Sequence, residues 1–230
     1  MSAPVTTRHS PPETNWSYSK LKNYETCPKR CYEIDIAKNV EEPQSDQLTD
    51  GNLTHKALAD RISKHTPLPD RYAAYEPWAI KMLTPPGKLL VEQKLAFRRD
   101  LSPCGYFDRK VWYRGVCDVI KLVPPVALIV DWKTGKIVED ATQLALMAQC
   151  VFSHHPDIQR VRTEFVWLKE DATTRQDFKR EDMVNIWNNI LPRVAQFETA
   201  LKTTNFPPKP GPFCLRWCAV TSCPHNGTRQ

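Results

Sequence analysis

The chain has 230 residues, 41% of them hydrophobic, which suits one domain with additions, or two small ones, and a packed core. Its net charge of +6 favours a polyanionic partner, and 20 prolines against seven glycines point to stiff connections rather than flexible linkers. No apolar run reaches the roughly 18–20 residues of a membrane span, the N-terminus lacks the apolar core of a signal peptide, and no GxxxxGKS/T phosphate loop is present. The expectation is a cytoplasmic protein with no membrane partner and no ATPase motor of its own. Eight cysteines in such a compartment argue for metal or cluster ligation over disulfides.

Residues 1–15 are polar, proline-containing and aperiodic, and are expected to be disordered. Ser17 or Ser19 can cap a short helix carrying Leu21 and Tyr24, which stops near Cys27-Pro28. A second short apolar segment follows at Cys31-Tyr32, and residues 41–50 read as an acidic, polar loop. The spacing of Leu53, Ala57, Leu58 and Ile62 predicts a helix over 52–64, and 71–83 suits another. Residues 89–97 alternate as a strand. Residues 111–122 and 126–131 read as a hairpin turned at Pro124-Pro125, where two prolines cannot continue a ladder. A helix is predicted over 141–153 and a strand over 160–168. The segment 180–202 reads as a long amphipathic helix with Met183, Ile186, Trp187, Ile190, Val194 and Phe197 on its apolar side and Pro192 as a kink point. Residues 204–230 form a proline- and cysteine-rich tail.

The hairpin carries the chemistry. A turn centred on the two prolines puts Asp118 opposite Asp131, with Cβ atoms about 4.5–5.5 Å apart. Side chains alternate along a strand, so Lys133 shares the face of Asp131 and Trp132 takes the other. Two facing carboxylates repel unless a cation lies between them, and the simplest is Mg²⁺ or Mn²⁺, which prefer oxygen ligands.

With these residues in view, the chain resembles the PD-(D/E)XK nuclease superfamily, in its RecB-like exonuclease branch. That branch includes CRISPR-associated and phage recombination exonucleases. Ser19-x-Leu21-x-x-Tyr24-x-x-Cys27-Pro28, Gly51-x-x-x-His55, Glu92, Gly115-x-x-Asp118, Asp131-x-Lys133-Thr134-Gly135 and Gln143 carry the resemblance, in that order. It implies an α/β fold with a restriction-endonuclease-like αβββαβ core over residues 16–203, helices added before it, and a tail folding back on the N-terminal segment. It further implies a metal-dependent deoxyribonuclease. Asp118, Asp131 and His55 would hold the metal, Glu92 would shape the site, Lys133 would orient water or stabilise phosphate charge, and Gln143 would position the substrate backbone. Met147 stands where the family often has tyrosine.

Several RecB-like nucleases tie the N-terminal segment to the tail with a 4Fe–4S cluster. By this resemblance Cys27, Cys214, Cys218 and Cys223 would be its ligands. Zinc could accept the same set, or use His225 or Cys31. The implied partner is DNA, alone or beside a helicase, recombinase or single-strand annealing protein, in a prokaryotic cell or phage-infected host. Recombination, repair and CRISPR adaptation stay open as pathways. Two readings from other classes stay open beside the nuclease: a non-catalytic DNA-binding or scaffolding subunit retaining the fold, and a zinc-stabilised interaction protein. Cys104, Cys117 and Cys150 read as structural.

Overall fold

The computed structural model describes residues 15–138 and 140–228, so the expected disorder of residues 1–14 lies outside the described residues. Among the described residues no helix is long and apolar enough to cross a membrane. A six-stranded sheet runs in the order β2-β1-β3-β4-β5-β6. Its strands are β1 (Lys88–Phe97), β2 (Pro103–Cys104), β3 (Tyr113–Val123), β4 (Val126–Lys133), β5 (Arg160–Trp167) and β6 (Ala172–Lys179). All neighbours are antiparallel except β4 and β5. A parallel pair needs a crossover, and here it is helix α5 (Ala141–His154). Every residue of α5 from Leu144 to Phe152 is buried, which is why this helix reads as apolar all round rather than as amphipathic.

The remaining helices are α1 (Tyr18–Thr26), α2 (Pro28–Cys31), α3 (Asp46–Lys64), α4 (Glu76–Leu83) and α6 (Met183–Thr203). Alternation along β4 divides the interior. Ala127 and Ile129 enter a larger core with α5 and α6, while Val130 and Trp132 enter a smaller one with Leu58 and Ile62 of α3 and Ala79 and Met82 of α4. The elements α3, β1, β3, β4, α5 and β5 are the expected αβββαβ core.

Two details depart from the sequence reading, and a third falls where it is silent. Helix α3 begins at Asp46, inside the expected loop, because Ser45 accepts the Leu48 N–H as its cap. The expected helix over 71–83 opens as a 3-10 turn, Asp70–Tyr75, before α4. Strand β6 lies in a stretch to which the sequence reading assigns no element; it is a polar edge strand with one buried residue, Phe178. Pro192, the expected kink point, lies inside α6 as the sequence reading has it.

A buried carboxylate fastens α6 to the sheet. Glu198 is 5% exposed. It accepts two hydrogen bonds from Arg99, at 2.6 and 2.9 Å, and one from Trp112 Nε1 at 2.8 Å. Burial works against its charge, but the Arg99 and Trp112 bonds outweigh it and hold the carboxyl below the usual glutamate range. A depressed folded-state pKa stabilises above the unfolded pKa of about 4.3, and the gain is lost as pH falls through the folded value. Glu198→Ala is therefore expected to cost about 2–4 kcal/mol at neutral pH, a difference that shrinks in acid. Urea midpoints at two pH values check this; equal midpoints for variant and wild type at pH 7 would make the network neutral.

Candidate active site

Strands β3 and β4 pair in the expected register from Val123↔Val126 to Val119↔Val130, and there the ladder stops. Asp118 and Asp131 are the next positions, but they do not form the ladder pair that the hairpin predicts. The Asp118 carboxylate itself takes the Trp132 backbone N–H, Oδ2 accepting at 2.8 Å. A side-chain oxygen thus replaces a strand carbonyl and the two strands part, while β4 stays paired to β5 as far as Lys133↔Trp167. On the other flank of β3, Glu92 of β1 adopts a left-handed φ of 51° between the pairs Val91↔Val119 and Gln93↔Cys117. Such a φ is uncommon for a non-glycine residue. The sheet is irregular on both sides of Asp118.

The other motif residues gather around this opening. His55 Nδ1 lies 3.2 Å from Asp118 Oδ2. Helix α3 can come that close because of Gly51, one turn earlier. A Cβ on Gly51 would lie 3.0 Å from Thr134 Oγ1, just past the end of β4. The glycine of one motif is packed against the threonine of the other. Lys133 Nζ lies 2.6 Å from Asp131 Oδ2 and 4.5 Å from the centre of the Phe165 ring. Asp131 Oδ2 is buried, and the Lys133 ammonium is what meets it. Gln143, in the first turn of α5, donates to Asp131 Oδ1 at 3.2 Å and accepts from Lys133 at 3.2 Å. Glu92 stands on the rim, open to solvent.

The electrostatics follow from this crowding. Burial raises the Asp131 carboxyl to about 6, with Lys133 pulling it down and Asp118 pushing it up. Partial burial and then the charge of Asp118 raise Glu92 as well. For His55 burial opposes protonation, but the Asp118 hydrogen bond and charge outweigh it, and its pKa is raised. Among the described residues no three His, Cys, Asp or Glu side chains converge closely enough to hold a metal ion as they stand. The donor chemistry nevertheless fits a hard divalent cation. Two buried carboxylates, an imidazole and a rim glutamate share one opening, an oxygen-rich donor set of the kind such cations prefer.

A family model, the PD-(D/E)XK nuclease superfamily, matches residues 15–224. The chain belongs to this superfamily. Its members are nucleases that generally use divalent metals such as Mg²⁺ or Mn²⁺, and the family implies DNA as the substrate. No curated protein matches the chain. Among solved structures, SSO0001 aligns with a TM-score of 0.48 and 15% identity over 95% of this chain and 90% of its own. A protein of Eubacterium rectale named "Putative exonuclease" aligns with a TM-score of 0.49 and 12% identity, over 100% of this chain and 94% of its own.

In this PD-(D/E)XK chain the helix that carries the N-terminal motif, α1, holds the start of α5. Asp140 caps that helix through the Thr142 N–H, and Tyr18 and Lys22 of α1 both donate to its carboxylate. Burial opposes the charge, yet the Tyr18, Lys22 and Thr142 bonds hold Asp140 down at about 2. Arg193 of α6 adds a bidentate pair to Glu25, at 2.6 and 2.9 Å, and a bond to Thr142 at 2.8 Å. These contacts fix the turn that carries Gln143. The sequence reading did not single out Asp140 or Arg193; an Asp just ahead of an apolar helix was the available signal.

The cysteines divide into two sets. Cys27, Cys214, Cys218 and Cys223 line one small cavity together with Lys29, Lys209 and His225. The tail reaches the N-terminal segment there: Lys209 N–H donates to Cys27 Sγ at 3.5 Å, Lys209 Nζ to Glu25 O at 2.7 Å, and Lys29 N–H to Pro207 O at 3.2 Å. None of these cysteines forms a disulfide. Cys31 is elsewhere, fully buried in the larger core, with its thiol directed at Lys20 O. Burial and Asp35 push that thiol up to about 12, and Cys31 does not line the cavity of the other four, so the alternative that enlists it as a ligand is not supported. Cys117 and Cys150 are buried in the same core.

Proposed function

We propose that the chain is a divalent-metal-dependent DNA exonuclease, serving recombination, repair or CRISPR adaptation. The observation that supports this most is the break in the β3–β4 ladder. Asp118 and Asp131 meet at one opening there, with Lys133 beside them. Asp118, Asp131 and His55 would hold the cation, with Glu92 acting from the rim. A bound Mg²⁺ or Mn²⁺ would supply an activated water and neutralise the charge growing on the phosphate. Lys133 Nζ stands at the same opening, 2.6 Å from Asp131 Oδ2. It can offset charge on a phosphate oxygen or orient the attacking water. Gln143 is fixed between Lys133 and Asp131 and offers its amide to the substrate backbone.

Linear DNA incubated with Mg²⁺, with Mn²⁺ and with a chelator tests the reading. Cleavage is expected only with metal. Lys133→Ala should lower turnover about 100-fold or more with little change in the metal concentration required, as for loss of a group acting on the reacting phosphate. His55→Ala should raise the metal requirement and recover activity at high Mn²⁺. Exchanged effects would mean that the two roles are swapped. A wild-type chain inert with every metal would favour the non-catalytic DNA-binding reading.

A 4Fe–4S cluster held by Cys27, Cys214, Cys218 and Cys223 is proposed as a second cofactor, with Zn²⁺ as the alternative occupant. Four unbridged thiols on one cavity support it. So do the backbone N–H on Cys27 Sγ and the cations Lys29 and Lys209, since thiolate ligands need compensating donors and charge.

A further inference from the structure

Phe107 is 78% exposed in the loop that joins β2 to β3. A single exposed apolar side chain needs no explanation, but this one has company. Tyr106 packs edge-on against it with ring centres 5.1 Å apart. The Arg114 guanidinium lies 5.5 Å from the Tyr106 ring and 6.0 Å from the Phe107 ring, and Lys94 Nζ lies 5.9 Å from Tyr106. The loop is also held in place. Asp108 N–H donates to Gly105 O at 2.9 Å, and the Asp108 carboxylate accepts from Lys110 N–H at 2.8 Å and from Arg98 at 2.7 Å. The rings stand on a braced turn.

The charge around them is one-sided. Residues 94–114 contain six Lys or Arg and two Asp. Asp108 occupies Arg98 and Glu198 occupies Arg99. Lys94 and Arg114 pair with no carboxylate among the described residues, and Arg114 Nε is buried without a hydrogen-bond partner. These two cations lie between the rings and the acidic site. Lys94 pairs with the exposed Val116 across the strands, and its charge reaches the Glu92 carboxyl. Arg114 precedes Asp118 by about 13 Å of strand.

We propose that Tyr106 and Phe107, flanked by Lys94 and Arg114, form a binding site for unpaired nucleotides of a DNA strand that continues to the Asp118–Asp131 opening. The inference rests on the nuclease reading and adds where the strand lies and in what form it enters. An open aromatic ring offers a stacking partner to any base, and adjacent cations hold the phosphates, a combination that binds single strands without sequence preference. Bases inside a duplex are already stacked on one another and cannot use the platform, so it selects single-stranded or frayed ends.

Fluorescence anisotropy with a labelled oligo-dT strand and with a blunt duplex of equal length tests this, in chelator so that binding is read without cleavage. Phe107→Ala is expected to weaken binding of the strand about 5- to 100-fold and of the duplex less than about twofold. Phe107→Trp should restore the strand. A strand of abasic sites should bind wild type about as weakly as oligo-dT binds Phe107→Ala, with no further loss in the variant. Equal losses on strand and duplex would overturn the platform. So would no loss on either, which would assign Phe107 to a protein contact. Because nothing is cleaved, a failed platform leaves the metal-dependent chemistry standing, whereas a wild-type chain that binds neither DNA fails both.

Discussion

Asp131→Asn is expected to abolish metal-dependent cleavage, by about 1,000-fold or more, and to make the protein harder to unfold. The first effect follows from removing a charged ligand of the proposed cation and the partner of Lys133. The second follows from the raised pKa. A carboxyl near 6 in the folded chain against about 3.9 unfolded means that the native state holds a proton the unfolded state releases. Stability then falls as pH rises from about 4 to 6, and the full penalty is present above that. Asparagine keeps the shape and removes the penalty. In chelator at pH 7–8 the variant should gain roughly 1–3 kcal/mol, a gain that vanishes below about pH 4. Added Mg²⁺ or Mn²⁺ should stabilise wild type and leave the variant unmoved. Urea titrations across pH, with and without metal, read both effects. A variant that still cleaves, or one destabilised in chelator at pH 8, would remove Asp131 from the centre of the site.

Replacing Cys27, Cys214, Cys218 or Cys223 by serine is expected to release the proposed cofactor and destabilise the fold by about 3–5 kcal/mol. Cys27 and Cys214 belong to opposite ends of the chain yet face one cavity. A shared metal there closes nearly the whole chain into one loop, which restricts the unfolded ensemble. Iron and zinc content, visible absorption of anaerobically prepared protein and the thermal midpoint are the measurements. Cys31→Ser, Cys104→Ser and Cys150→Ser should keep the metal content, whatever they do to packing. Protein that carries neither metal would make the four cysteines lining of a small cavity and nothing more.

Much of the fold was legible because it lies in buried, periodic segments. The apolar run Ala127 to Val130 and the paired prolines gave β3, β4 and their register without tertiary information. The polar edge was not. Strand β6 reads Ala-Thr-Thr-Arg-Gln-Asp-Phe-Lys, and an edge strand with one buried side chain has no alternation to find. The first turn of α3 was missed for a related reason: it buries nothing until Gly51, and only the Ser45 cap announces it. At the candidate site, the sequence singles out residues that the fold brings together, but not their geometry. Register places Asp118 across from Asp131, yet no sequence pattern says that Asp118 will take the Trp132 amide and end the ladder. Likewise Gly51 and Thr134 belong to motifs that look independent in sequence, and only packing shows that one makes room for the other.

The Trp132 amide has a use beyond holding the strands apart. Its acceptor is a carboxylate of the site rather than a carbonyl of the sheet, and its indole is buried in the smaller core, away from the chemistry. Its nitrogen chemical shift and its rate of deuterium exchange would therefore respond to a cation taken up by the Asp118 carboxylate. The chain carries its own gauge of cation uptake at the opening, readable in solution before a single bond of substrate has been cut.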